Sequence, residues 1–307
     1  VPITLCLNKY GRGGEAFRVN EASAARQAYV RAVYSSTLVR HYFGNFPETT
    51  TMWELKSISF WLALERARRA VEKVQVPKLA AWLAKEGRAF AKDYRAGTGE
   101  ARALILLDMR FNNWLPDFYE ALYAATFRAT VALTPQTVAL RRKVDWELIG
   151  PWDIPEYGAW MNRVAAQQVR NVTENTKRGI ARIIDEGLEN SRSIDAIADR
   201  LIASYGFSMY RAQVVARTEV VAASNSTFFY SVNRFYNLDG ATKNWLATND
   251  HRTRPTHVTA GATQRGVPFN DEFIVGGAPC MFPGDSQLPA RERIQCRCTA
   301  TYDTSIF

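Results

Sequence analysis

The reading of the fold turns on residues 211–298, which contain RAQVVARTEVVAASNS (211–226), KNWLATNDHRTRPTHVTAGATQRGVPF (243–269) and PGDSQLPARERIQCRC (283–298). The first piece has the apolar spacing of a helix, capped at Ser208 and expected to reach about Asn233. From Thr242 the period changes. Thr242-Lys-Asn-Trp-Leu-Ala-Thr248 reads as a strand, and the Gly, Pro and Phe spacings beyond it predict short strands and loops. Helices first and a small sheet after give an α+β fold, mainly α.

Upstream, Asp153-Ile-Pro155-Glu156 reads as a helix start, with Asp153 as N-cap. Trp160, Val164, Val172, Ile180 and Ile184 continue that helix to Gly187, and Ser193 caps a shorter one. Loop-rich sequence from Thr134-Pro135 to Gly150-Pro151-Trp152 places a domain boundary near residue 150. Before it, residues 51–150 form a basic helical region, with runs from Met52 to Val74, from Leu79 to Phe90, from Glu100 to Asn113 and beyond Pro116. Pro77 and Pro116 are expected to break or restart helices. Phe111, Trp114, Phe118, Tyr119, Tyr123 and Phe127 suit either a helix core or a stacking platform for single-stranded nucleic acid, and core is the commoner use of that spacing. Residues 1–50 read as an extended arm with a short helix, and His41 within it as a packing residue.

The net charge of +9 suits an anionic partner. It is concentrated between Phe60 and Lys143, where fifteen Lys and Arg face eight Asp and Glu. Non-specific contact with double-stranded DNA therefore falls to this region, with Arg66, Arg68, Arg69, Arg141, Arg142 and Lys143 as its candidates; a solvated helical face is the competing account. Four Cys, with Cys6 alone and Cys296 two residues from Cys298, make no disulfide framework. No apolar run is long enough to span a membrane, and the first residues lack the pattern of a signal peptide. A start without Met gives the expectation of a processed or partial product.

The 211–298 stretch holds the residue types that carry chemistry. His257, Cys296 and Cys298 suit Zn²⁺, with Asp250, His251 or Cys280 as a fourth donor, and the same cysteines suit plain packing. Zn²⁺ is thus the one cofactor the sequence suggests, as a structural staple. Arg217, Thr218, Glu219, Trp245, Asp250, Arg252 and Arg254 suit a buried network pinning a loop to the long helix. A metal-dependent nuclease using Asp250, His251 and His257 is the sharper alternative, although its acidic residues are few. An ADP-ribosyltransferase-like site is another, but no Glu-x-Glu or Gln-x-Glu pair follows Thr242.

One family carries these features in this order. Arg217-Thr218-Glu219, Trp245, Asp250, Arg252-Thr-Arg254 with His257, Gly261, Pro283-Gly284-Asp285 and Cys296-Arg-Cys298 resemble the phage Mu F-like minor head proteins, the phage head morphogenesis family. The resemblance covers about Ala159 to Thr301 and departs at Gln295, where Asn is common, and at His251. It implies a non-enzymatic minor capsid protein of a tailed phage, in the head near the portal vertex. The implied partners are the portal ring and major capsid or scaffold proteins, with packaged DNA as a further contact. The first 150 residues carry none of these motifs.

Overall fold

In the computed structural model, residues 52–97, 99–137, 144–248 and 252–304 are described. The helices are α1 (Met52–Arg95), α2 (Glu100–Thr130), α3 (Pro155–Glu189), α4 (Ile194–Ile202), α5 (Met209–Phe235) and α6 (Pro255–Thr263). One-turn helices lie at Thr134–Thr137 and Ala290–Arg293. The strands are β1 (Thr242–Leu246), β2 (Val267–Pro268), β3 (Phe273–Val275), β4 (Ala278–Cys280) and β5 (Thr299–Asp303). The protein is mainly helical with a small antiparallel sheet towards its C-terminal end, the α+β class expected from the sequence.

Helix α5 is the axis. Every residue from Thr218 to Phe229 is buried, so the helix is covered on all sides. Its sequence allows this. Ala222, Ala223, Ser224 and Ser226 are small enough for neighbouring backbones to approach, while Ser224, Ser226 and Thr227 return their hydroxyls to carbonyls of their own helix. Ser208 caps it, accepting from the Arg211 amide at 3.1 Å, and Ser193 caps α4 in the same way.

Helices α2 and α3 pack on each other through aromatic side chains, and both lie against α5. Tyr123 meets Trp160 at 5.3 Å between ring centres, and Phe127 meets Tyr157 at 4.8 Å. The aromatic run of α2 is therefore core: Phe111, Phe118, Tyr119, Tyr123 and Phe127 are buried, and Trp114 is stacked on Trp82 of α1. Of the six, Trp114 alone is half-buried, and its face is taken by Trp82.

The sheet runs in the order β2-β1-β5, all antiparallel, with Trp245 opposite Ala300. Beside it β3 and β4 form a hairpin in which Phe273 faces Cys280. The sheet sits against α5 through β5, the hairpin lies against α6, and both share the core.

Three expectations change. Pro77 and Pro116 lie inside α1 and α2, not at breaks. Each is exposed, so the carbonyl it cannot bond faces water and the ring clash falls on the outer side. Asp153 is not the N-cap of α3; that position is Ile154, while Asp153 accepts from the Gly150 amide one turn earlier. Finally, no division falls near residue 150, because Ser57–Phe307 forms one compact unit and α1 and α2 share the core of the motif region. Among the described residues, no helix is long and apolar enough to cross a membrane.

Candidate functional site: a pinned loop and a buried His–Cys–Cys centre

The segment from Gly284 to Cys298 lies across α5 and is held at almost every residue. Arg293 Nη2 lies 2.9 and 2.7 Å from the two carboxylate oxygens of Glu219, and Tyr123 Oη donates to the same carboxylate at 2.8 Å. The ion pair is buried, with Glu219 2% and Arg293 7% exposed. Burial opposes the Arg293 charge, but Glu219 outweighs it and holds the guanidinium above its usual pKa. Burial first, then the Glu219 charge, push the Tyr123 hydroxyl well up, which keeps it a donor.

The neighbours add backbone contacts. Gln295 N–H donates to Thr218 Oγ1 at 3.0 Å, and Arg254 donates to the Ile294 carbonyl. Gln295 itself has φ of 56°, a left-handed conformation that Asn adopts more readily than Gln. Asn225 in α5 donates Nδ2 to the Cys298 and Pro283 carbonyls and accepts from Thr299 Oγ1. From the far side, Trp61 Nε1 and Arg68 Nη1 of α1 both donate to the Arg297 carbonyl, at 3.3 and 3.4 Å. Gly284 has φ of 84°, and a Cβ there would stand 3.1 Å from the Ala222 backbone, so this turn and its close approach to α5 require glycine.

The predicted network is thus divided. Glu219, Thr218 and Arg254 do grip the C-terminal loop. Arg217 points elsewhere, pairing with Glu72 of α1 at 2.9 Å. Arg252 is on the surface. Asp250 and His251 lie outside the described residues. Trp245 is packed edge-on against His257 (5.5 Å, 90°) and Phe273 (5.4 Å, 87°). The sequence reading missed Arg293, Asn225 and Glu292. A lone Asn in an apolar helical run was the available signal for Asn225; nothing separated Arg293 from the other arginines near it.

His257, in the first turn of α6, meets the loop before β5. Its Nδ1 lies 3.4 Å from Cys298 Sγ and 3.6 Å from Cys296 Sγ, and the donor atoms of the three residues all fall within 4.8 Å. Its Nε2 lies 3.2 Å from Glu292 Oε2, which also accepts from Thr256 Oγ1 at 2.8 Å. This approach is not aligned as a hydrogen bond; a neutral ring carrying its proton on Nε2 would turn the Nδ1 lone pair to the sulfurs. The pairing of the two thiols, and then His257, favours the ionised form of Cys296 against the effect of burial, and the same pairing with burial pushes Cys298 up. All three residues are 1–2% exposed. Cys280 is buried too, and burial pushes its thiol far up, so it behaves as a packing residue.

Carboxylate, imidazole and thiol in this order match the arrangement of a cysteine nucleophile with its base. Access argues against that use. A cleft of about 990 Å³ runs between α3, α4 and α5, bordered by Arg178, Arg182, Arg200, Arg211, Glu219 and Arg293, yet none of His257, Cys296 and Cys298 lines it.

Of the candidate DNA contacts, Arg68 is excluded. It is fully buried, donating to Ser224 Oγ at 2.7 Å, and burial lowers its pKa to about 10, so it is an interior cation that cannot reach a phosphate. Arg66 is exposed, and Arg69 pairs with Glu65 on the same helix. Arg141, Arg142 and Lys143 lie outside the described residues.

Comparison with known proteins agrees with the motif order. Residues 177–301, which hold α4, α5, the sheet and the pinned loop, match the family described as Phage Mu protein F like protein, and the chain carries a phage Mu F-like region. A Bacillus subtilis (strain 168) protein named "Uncharacterized protein YqbB" is 32% identical over 130 residues, or 40% of this chain and 41% of that one. The chain thus spans about two-fifths of the length of the curated relative it matches. No solved structure matches.

Proposed function

We propose that this chain is a minor head protein of a tailed phage, acting in head morphogenesis and not as an enzyme. In this reading it sits in the phage head near the portal vertex, against the portal ring, with major capsid or scaffold proteins as further contacts. The observation that carries the reading is where the family match falls. The matched region is the part of the molecule in which Glu219, Thr218 and Arg254 hold the C-terminal loop at Arg293, Gln295 and Ile294, and His257 meets both cysteines of the Cys-Arg-Cys motif. Residues engaged in this way shape and stiffen the fold that presents a surface to other proteins.

The experiment is co-expression with the portal protein of the same phage, followed by sedimentation of the portal rings. Travel with the rings at a fixed stoichiometry is expected. A chain that stays free under conditions where rings form would overturn the assignment.

Contact with packaged DNA is a second part of the reading, resting on the basic surplus between Phe60 and Lys143. Arg66 and the Arg141-Arg142-Lys143 run are its carriers. Charge reversal at these four positions should reduce affinity for duplex DNA at about 50 mM salt by tenfold or more and flatten the salt dependence. Unchanged affinity would remove DNA from the partners.

A further inference from the structure

We propose that His257, Cys296 and Cys298 bind a structural Zn²⁺ ion. The distances suit a metal centre as well as hydrogen-bonded thiols. Tetrahedral zinc, with Zn–N of about 2.0–2.1 Å and Zn–S of about 2.3 Å, sets its N···S edges at about 3.6 Å. Nδ1 of His257 lies 3.4 Å from one sulfur and 3.6 Å from the other. Hydrogen bonds between the two thiols and from a thiol to Nδ1 would hold the same atoms without a metal; a metal ion would instead take Nδ1 and both sulfurs as direct ligands.

The surroundings fit the same role. Glu292 stands 3.2 Å from the other ring nitrogen and is itself fixed by Thr256, although the approach is not aligned as a hydrogen bond; a small turn of the ring would give the carboxylate–histidine contact that orients imidazole ligands. The cysteine loop is held from outside the centre, by Trp61, Arg68 and Asn225 acting on its carbonyls, so both sulfurs are positioned by contacts that do not involve them. Two thiolates and a neutral imidazole balance the ion's charge, which makes the centre tolerable in a fully buried position. The ion would join α6 to the loop before β5, where the sheet is small and has little core of its own. This inference does not depend on the head-protein reading.

The test uses the full-length, tag-free chain, with its metal content measured and the metal-stripped, reduced protein then titrated with Co²⁺. About one Zn²⁺ per chain is expected, together with a thiolate-to-cobalt absorption band. Cys296→Ser, Cys298→Ser and His257→Ala should each abolish the band, and Glu292→Gln should weaken binding by about 10–100-fold while keeping it. A parent protein that holds no zinc and gives no thiolate–cobalt band overturns the proposal, as does a band that persists in the folded cysteine variants. If those variants fail to fold, the parent spectrum decides alone: its band supports the site, and its absence overturns it.

Discussion

At the scale of single residues, two buried charges have opposite standing. Glu219 and Arg293 satisfy each other, so removing one leaves the other stranded. Glu219→Ala should cost about 3–5 kcal/mol in chemical denaturation, while Glu219→Leu combined with Arg293→Met should recover most of it. A loss below about 1 kcal/mol for the single variant would mean that the pair is not closed in solution. Among the described residues, Lys243 has no such partner. Its Nζ donates to the Met281 carbonyl at 2.9 Å and stands over the Phe273 ring at 4.7 Å. Burial lowers its pKa from 10.5 to about 8, against the pull of Cys280, Asp285, Asp271 and Glu272. The folded state therefore binds fewer protons than the unfolded chain between these two values, and stability rises with pH across that window. Below about pH 8 the full penalty for a buried ammonium is present, and above 10.5 it is gone. Relative to Lys243→Met, the parent should gain about 3 kcal/mol between pH 8 and 10.5 in paired denaturation curves. Parallel curves would mean the ammonium is solvated. Neither residue stood out in the sequence, because a Lys in a strand and an Arg among arginines carry no local sign of burial.

At the scale of elements, what was legible was what local chemistry decides. Ser193 and Ser208 announce α4 and α5 because a cap needs only its own three-residue neighbourhood. The change to alternation at Thr242 announces β1 for the same reason. The two prolines misled, since the rule they obey concerns an isolated helix, whereas α1 and α2 are held by a packed inner face that offsets one missing hydrogen bond. This gives a prediction. Pro77 is exposed and its backbone is already helical, so Pro77→Ala restores a bond to the Lys73 carbonyl without disturbing a contact. The variant should be more stable by about 1–3 kcal/mol in urea or thermal unfolding. Equal or lower stability would show that α1 depends on a bend at this point. Gln295 is the reverse case, with a left-handed conformation at a residue type that gives no hint of it.

At the scale of the whole molecule, the sequence placed a domain boundary near residue 150, and the packing joins what that boundary separates. Composition changes there, from a basic helical region to the motif-bearing one, but composition reports the surface and not the core. Across the supposed boundary Phe60 meets Phe228 at 5.5 Å, Tyr123 meets Trp160, and Phe127 meets Tyr157. The Glu219 carboxylate takes a hydrogen bond from Tyr123, and the Cys-Arg-Cys loop is bonded by Trp61 and Arg68. Each aromatic contributes about 2–3 kcal/mol on burial. Losing several of them together exceeds the roughly 5–15 kcal/mol that keeps a domain folded. A fragment of residues 151–307, although it contains the whole family match, should therefore lack a cooperative unfolding transition and native near-ultraviolet circular dichroism. The full chain should show both. A fragment that unfolds cooperatively with the parent's aromatic signal would make α1 and α2 an appendage and restore the boundary. If the fragment fails as expected, the basic helices and the motif region act as one body, and the charge they carry is fixed in place relative to the loop that the Glu219–Arg293 pair holds.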